Sequence, residues 1–288
     1  MAATSAPVEL IPPVTQRVWG VPAVLNFVLG GLGAGFYAAA ALAARLEASP
    51  TVALAAWLGP ALVLAGFAAV ATEAGRPLRG VRVLARVRTS WMSRELVLGG
   101  VFASAALAEW IAPGPAQRGA AALAALGLAA AQGFILRRGT AVPAWDVPVL
   151  PLLFGASALV SGAGLVLVVE TAGGGVPGAD ALGGALAVVV LGLIAWLTYV
   201  TWSEEPAFAR PTAPLRAAPG AVLGIAGYLL PAAAIVLTVA LPPAAPAAAL
   251  GGVLMIAGQA CTKWLLVLTV AALRPVTLGT LDLHRRVT

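Results

Sequence analysis

The sequence predicts an all-α integral membrane protein with eight transmembrane helices, arranged as two four-helix bundles. Three observations carry that expectation. Of 288 residues, 61% are hydrophobic and only 10% charged, a balance foreign to a soluble domain of this size. The apolar residues fall in runs long enough to cross a bilayer; the first, 22–44, makes about 34 Å of helix at about 1.5 Å per residue. Pro-, Gly- or charge-bearing turns separate the runs.

The chain opens with MAATSAPVELIPPVTQRVWG, which has acidic Glu9, prolines at 7, 12 and 13 and no basic-then-apolar order. It does not read as a cleavable signal, so the first span is expected to direct insertion. Spans are expected at 22–44, 51–71, 95–112, 119–136, 148–169, 181–202, 219–241 and 247–272. They divide into halves 1–140 and 141–288, joined around Pro143 and Pro148.

In the first span, Gly31 and Gly35 lie four apart on one face and invite close approach of a neighbouring helix. Asn26 sits about one turn inside the end, and a buried amide there needs a partner: another helix, water or a ligand carbonyl. The segment Arg76–Glu95 is the long polar stretch of the chain, with arginine at 76, 79, 82, 86, 88 and 94. It reads as a cytoplasmic loop with Trp91 as an interfacial anchor. It also reads as a functional surface, because an Arg94/Glu95 pair at the mouth of a span is costly to keep without a use.

Among the later spans, Gln132 and Tyr199 read as interhelical hydrogen-bonding or interfacial residues. Gln259 and Lys263 share one face of the last span. A lysine that deep is expected to face the interior, either paired with Glu95 or serving as a ligand or proton relay. Glu109 and Glu170 read as solvated helix ends or as the far ends of a proton path, and Trp196 and Trp202 as an interface belt. The single cysteine, Cys261, is expected to be buried in the last span, where it can form no internal disulfide. No Cys/His set has metal-ligand spacing. His284, in the polar tail, is the one histidine, so a haem with two axial histidines has no ligands here. No strands are expected, no phosphate loop and no Ser/His/Asp set.

Eight crossings put both termini on one side, with 14 of the 17 basic residues. Arg45 and Arg118 fall opposite and Lys263 lies within a span. The positive-inside rule then places the chain in the inner (cytoplasmic) membrane with both termini in the cytoplasm. The net charge of +6 is orientation information and does not point to nucleic acid.

The GGLGAG-bearing first span, GRPLR at 75–79, TSWMSRE at 89–95 and the eight-span layout together resemble the NrfD/PsrC family and the related DmsC-type anchors. These are membrane subunits of molybdopterin oxidoreductase complexes. The motifs cover the first three spans and the layout the other five. The resemblance implies a quinone-reactive subunit of anaerobic respiration, handling ubiquinone or menaquinone, with no haem or iron–sulfur cluster of its own and no catalytic activity alone. It implies two partners, an iron–sulfur ferredoxin-like subunit and a molybdopterin catalytic subunit. The family's polar quinone-contacting position early in the first span falls on Asn26, where some relatives carry His. The expected quinone site comprises Asn26, Arg94, Glu95, Gln259 and Lys263, and the expected docking surface Arg76, Arg79 and Trp91. The basic loops suit an inward-facing enzyme, such as a dehydrogenase of sulfite or an acyl-CoA. Two other readings stay open: a small-solute or ion transporter, for which Gly162 and Gly164 would be the counterpart of the first span's double glycine, and a passive anchor.

Overall fold

A computed structural model of the chain describes residues 9–45, 47–73, 81–241 and 244–277. The long helices are α1 (Val21–Ala43), α2 (Pro50–Ala71), then after the single-turn α3 (Val81–Leu84) α4 (Trp91–Ile111), α5 (Pro115–Arg137), α6 (Leu150–Ala172) and α7 (Ala179–Val200). Two more single turns follow, α8 (Pro206–Ala209) and α9 (Ala213–Arg216). The seventh long helix is α10 (Ala218–Gly224) continued through a π-turn at Ile225–Leu229 into α11 (Leu230–Ala240). Pro231 just beyond the turn has no N–H to donate and crowds the preceding carbonyl, and a widened turn accommodates that clash. The last is α12 (Ala245–Trp264), which ends in a second π-turn at Leu265–Thr269.

Among the described residues, seven helices are long and apolar enough to cross a membrane. The expected third span, α4, is 21 residues long but carries Arg94, Glu95 and Glu109 and stands outside that set. It also starts earlier than its apolar run suggests. The Ser90 hydroxyl accepts from the Ser93 N–H as an N-cap, which makes the Trp91–Glu95 block the first turn of the helix. Large apolar side chains such as Trp57, Leu64, Leu123, Ile194, Val239 and Leu250 lie outward and exposed, a surface that suits hydrocarbon and not water.

The centre of the bundle is α1, which packs against α2, α5, α6, α7 and α12. Close crossings on it are made by glycine. A methyl at Gly33 would meet the Gly59 carbonyl of α2, and one at Gly35 the Ala158 carbonyl of α6, where Gly162 lies against Gly35 in return. Gly164 likewise meets Gly252 of α12. So Gly35, Gly162 and Gly164 are helix crossings held by backbone approach.

Strands do occur. β1 (Glu9–Ile11) pairs antiparallel with β2 (Val276–Thr277), and Thr15 bridges to Ala272. The N-terminal segment thus lies across the end of the last helix. Gln16 pins it there, its side-chain amide donating to the carbonyls of Trp19 at 2.9 Å and Val267 at 3.0 Å. Two isolated short strands have too little apolar pattern to be seen in sequence, and they form because this docked segment supplies the partner.

Three other expectations change. Cys261 is exposed on the outer face of α12. Trp196 is buried beside Tyr199 and belongs to the core, while Trp202 is exposed. Arg118 is a buried, ion-paired residue of α5 and no loop charge, so it says little about orientation.

Candidate functional site

The ends of α1, α4 and α5 on the side of the basic segment meet in a buried polar cluster. Pro22 starts α1 and leaves Asn26 about one turn in. Asn26 Nδ2 donates to Glu95 Oε1 at 3.0 Å, and Gln132 Nε2 donates to the same oxygen at 3.0 Å and to the Asn26 carbonyl at 3.3 Å. All three side chains are at most 5% exposed. Gly66 of α2 closes against Asn26 from the fourth side. Asn26 Oδ1 remains a buried acceptor with no donor among the described residues, a costly omission unless something else supplies one.

A cavity of about 230 Å³ reaches this cluster. Asn26, Glu95 and Glu73 are its polar wall; Val18, Trp19, Ala23, Phe27, Val70, Met92 and Ile135 are its apolar wall. The aromatic side is a cluster of rings in contact. Trp19 stacks on Trp145 at 5.3 Å and meets Phe27 at 5.7 Å, and Phe27 meets Phe154 edge-on at 5.5 Å. Glu73 accepts the Gly20 N–H at 2.9 Å at the start of α1, where a carboxylate is favoured. A flat apolar slot ending in an amide and a carboxyl suits a planar ring with polar oxygens.

Of the expected site residues, Asn26 and Glu95 come together here. Arg94 does not join them. Adjacent helical residues point about 100° apart, and Arg94 turns back instead, donating to the carbonyls of Val87 at 2.9 Å and Arg88 at 2.7 Å with its guanidinium 4.3 Å over the Trp91 ring. The Arg94/Glu95 pair is thus absent, and Arg94 braces the segment ahead of α4. Gln259 is buried away from the cavity, accepting from the Tyr228 hydroxyl at 3.3 Å, with its Nε2 unpartnered among the described residues. Lys263 is 2% exposed but lies behind α1, outside the cavity wall, and makes no ion pair with Glu95. Its Nζ rests against Gly31 and 5.9 Å from the centre of the Phe154 ring. Gly31, expected to admit a helix backbone, admits this side chain. Trp91 stacks on Phe134 at 4.1 Å. Arg76 and Arg79 lie outside the described residues.

Gln132, read from the sequence as an interhelical hydrogen-bonding or interfacial residue and left out of the expected site, makes its interhelical bonds within the cluster. The signal was there, an amide deep in an alanine-rich helix. Trp19 and Glu73 gave no signal, because the N-terminal segment's path is set by long-range contacts.

A second buried cluster sits 14 residues further along the same inward face of α4, about 21 Å away. The Tyr37 hydroxyl donates to Glu109 Oε2, and Arg118 Nε donates to Glu109 Oε1 at 2.6 Å, both ion-pair side chains being 7% exposed. Glu109 is therefore no solvated helix end; it ties α1, α4 and α5 together. Between the clusters the inward face is Gly99, Phe102 and Ala106.

Residues 17–113 match the family model of the DMSO reductase anchor subunit (DmsC). That stretch contains every residue lining the cavity except Ile135. No curated protein matches the chain.

Proposed function

We propose that this chain is the quinone-reactive membrane anchor of a molybdopterin oxidoreductase complex, of the NrfD/PsrC or DmsC type. It exchanges electrons between the quinone pool and an iron–sulfur subunit, with reaction on the other substrate left to the catalytic subunit. The observation that carries this reading is the cavity: a largely apolar slot with Asn26 and Glu95 in its polar wall, built almost wholly from the segment that resembles a known anchor. The residues fit a quinone and quinol. The unpartnered Asn26 Oδ1 accepts from a quinol hydroxyl, the second N–H of the Asn26 amide is a donor for a quinone carbonyl, and Glu95 holds or releases a proton beside them. Trp19, Phe27 and Met92 exclude water from the ring. Lys263 and Gln259 stand outside the slot and do not line it. A transporter reading loses its glycine argument, since Gly162 and Gly164 are packing crossings.

With α4 counted as a crossing helix, eight crossings put both termini and the basic segment on the cytoplasmic side of the inner membrane. A reporter fused after Thr288 is then expected to behave as cytoplasmic; an alkaline phosphatase fusion there with high activity reverses the orientation and with it the inward-facing enzyme. The chain is also expected to carry no haem, so the purified subunit should show no Soret band.

Asn26→Leu removes a hydrogen-bonding group contributing about 1–2 kcal/mol and should weaken quinone binding roughly ten-fold. The complex should stay assembled, because the Gly33 and Gly35 crossings are untouched. Unchanged quinone kinetics in an intact complex would remove Asn26 from the site.

A further inference from the structure

The adjacent glycines of α1, Gly30 and Gly31, leave the space into which side chains of α5 and α12 reach. A methyl on Gly30 would meet Gln132 Nε2; one on Gly31 would meet Lys263 Nζ, with Gln132 Oε1 only 3.5 Å off. One amide thus holds Glu95 through its Nε2, while its oxygen and the lysine's Nζ both border the space at Gly31.

Lys263 has no hydrogen bond or ion pair to any described residue, and an ammonium buried there would call for an opposite charge within reach. The elements packed against α12 are α1, α6, α10, α11 and the π-turn at Ile225–Leu229. Among their described residues the one carboxylate is Glu170, which is 16 residues beyond Phe154 on α6, about 24 Å along the axis. Tyr228 is occupied with Gln259. On α5, Arg118 and Arg137 lie at the two ends. That leaves Glu95, across the Gln132 amide.

We propose that Lys263 is the counter-charge of Glu95, a positioning residue acting across Gln132, and that Gly30 and Gly31 form the notch admitting both side chains. When a Glu95 carboxylate oxygen takes a proton from a hydroxyl oxygen in the cavity, one O–H bond breaking as the other forms, Lys263 has balanced the charge that the carboxylate carries beforehand. The proposal rests on reading Glu95 as the proton-exchanging group of the cavity.

Infrared spectroscopy of the purified, quinone-free protein tests it. A protonated-carboxyl C=O stretch is assigned to Glu95 by its loss when Glu95→Gln is added to the protein that shows it. Wild type and Lys263→Arg should show Glu95 as carboxylate, whereas Lys263→Met and Gly31→Ala should both gain the protonated-carboxyl band. A protonated Glu95 in wild type, or no change in Lys263→Met, overturns the counter-charge; no change in a folded Gly31→Ala overturns the notch. If Gly31→Ala does not fold, the two lysine variants still decide the charge question. Because no quinone is present, these results stand apart from the quinone reading, which fails separately if Glu95→Gln leaves quinone turnover unchanged.

Discussion

Glu95→Gln is expected to lower quinone turnover of the assembled complex by on the order of 10²–10⁴-fold, the usual contribution of a positioned acid–base group. The change is nearly isosteric, and the glutamine oxygen still accepts from Asn26 and Gln132, so the cavity and its affinity should survive. What is lost is the proton exchanged at its wall. Asn26→Leu should weaken binding with a smaller effect on the chemical step, so the two variants differ in which kinetic parameter moves. Steady-state quinol oxidation with the complete complex reads both. A Glu95→Gln complex with turnover within two- or three-fold of wild type contradicts the assignment of the proton to this carboxyl.

Arg118→Met should destabilise the protein by about 3–5 kcal/mol, because it strands the buried Glu109 carboxylate with the Tyr37 hydroxyl as its remaining partner among the described residues. Removing both charges is another matter. Buried ion pairs replaced by apolar groups of similar size are often neutral, so Arg118→Met combined with Glu109→Leu should recover most of the loss. Thermal or denaturant unfolding in detergent measures the pair, and the recovery is a coupling energy in the double-mutant sense. If Arg118→Met costs no more than an exposed pair, under about 1 kcal/mol, Glu109 is compensated elsewhere and the cluster is not the clamp at that end of α4.

Long apolar runs made the helices legible, and their predicted ends fall within a few residues of the observed ones. The starts of α4 and α5 each lie four residues earlier than expected; the first turn of α4 is polar and its start depends on the Ser90 cap. Side-chain direction was the hard part. Arg94 and Glu95 look paired because they are neighbours in sequence, yet a helix sends neighbours to different faces, Glu95 inward and Arg94 back onto the segment before it. Glu109 and Arg118 look like helix-end charges because their distance along the chain crosses a turn, and only the packing of α1 against α4 and α5 encloses them. Gly31 looks like a helix-packing glycine, and nothing local says that a lysine more than two hundred residues away fills its notch. Asn26 was legible, because an amide inside a span always needs a partner. The cavity's other wall was not, since Trp19 is placed by the pairing of the N-terminal segment with the end of the last helix.

The central claim is that the slot between Trp19, Phe27, Asn26, Met92 and Glu95 takes the quinone ring. Photoaffinity labelling of the complete complex with an azidoquinone, followed by peptide mapping, tests it most directly. Label is expected on peptides containing Trp19–Phe27 or Met92–Glu95, displaced by excess unlabelled quinone and reduced in Asn26→Leu. Displaceable label confined to other parts of the chain or to a partner subunit would contradict it.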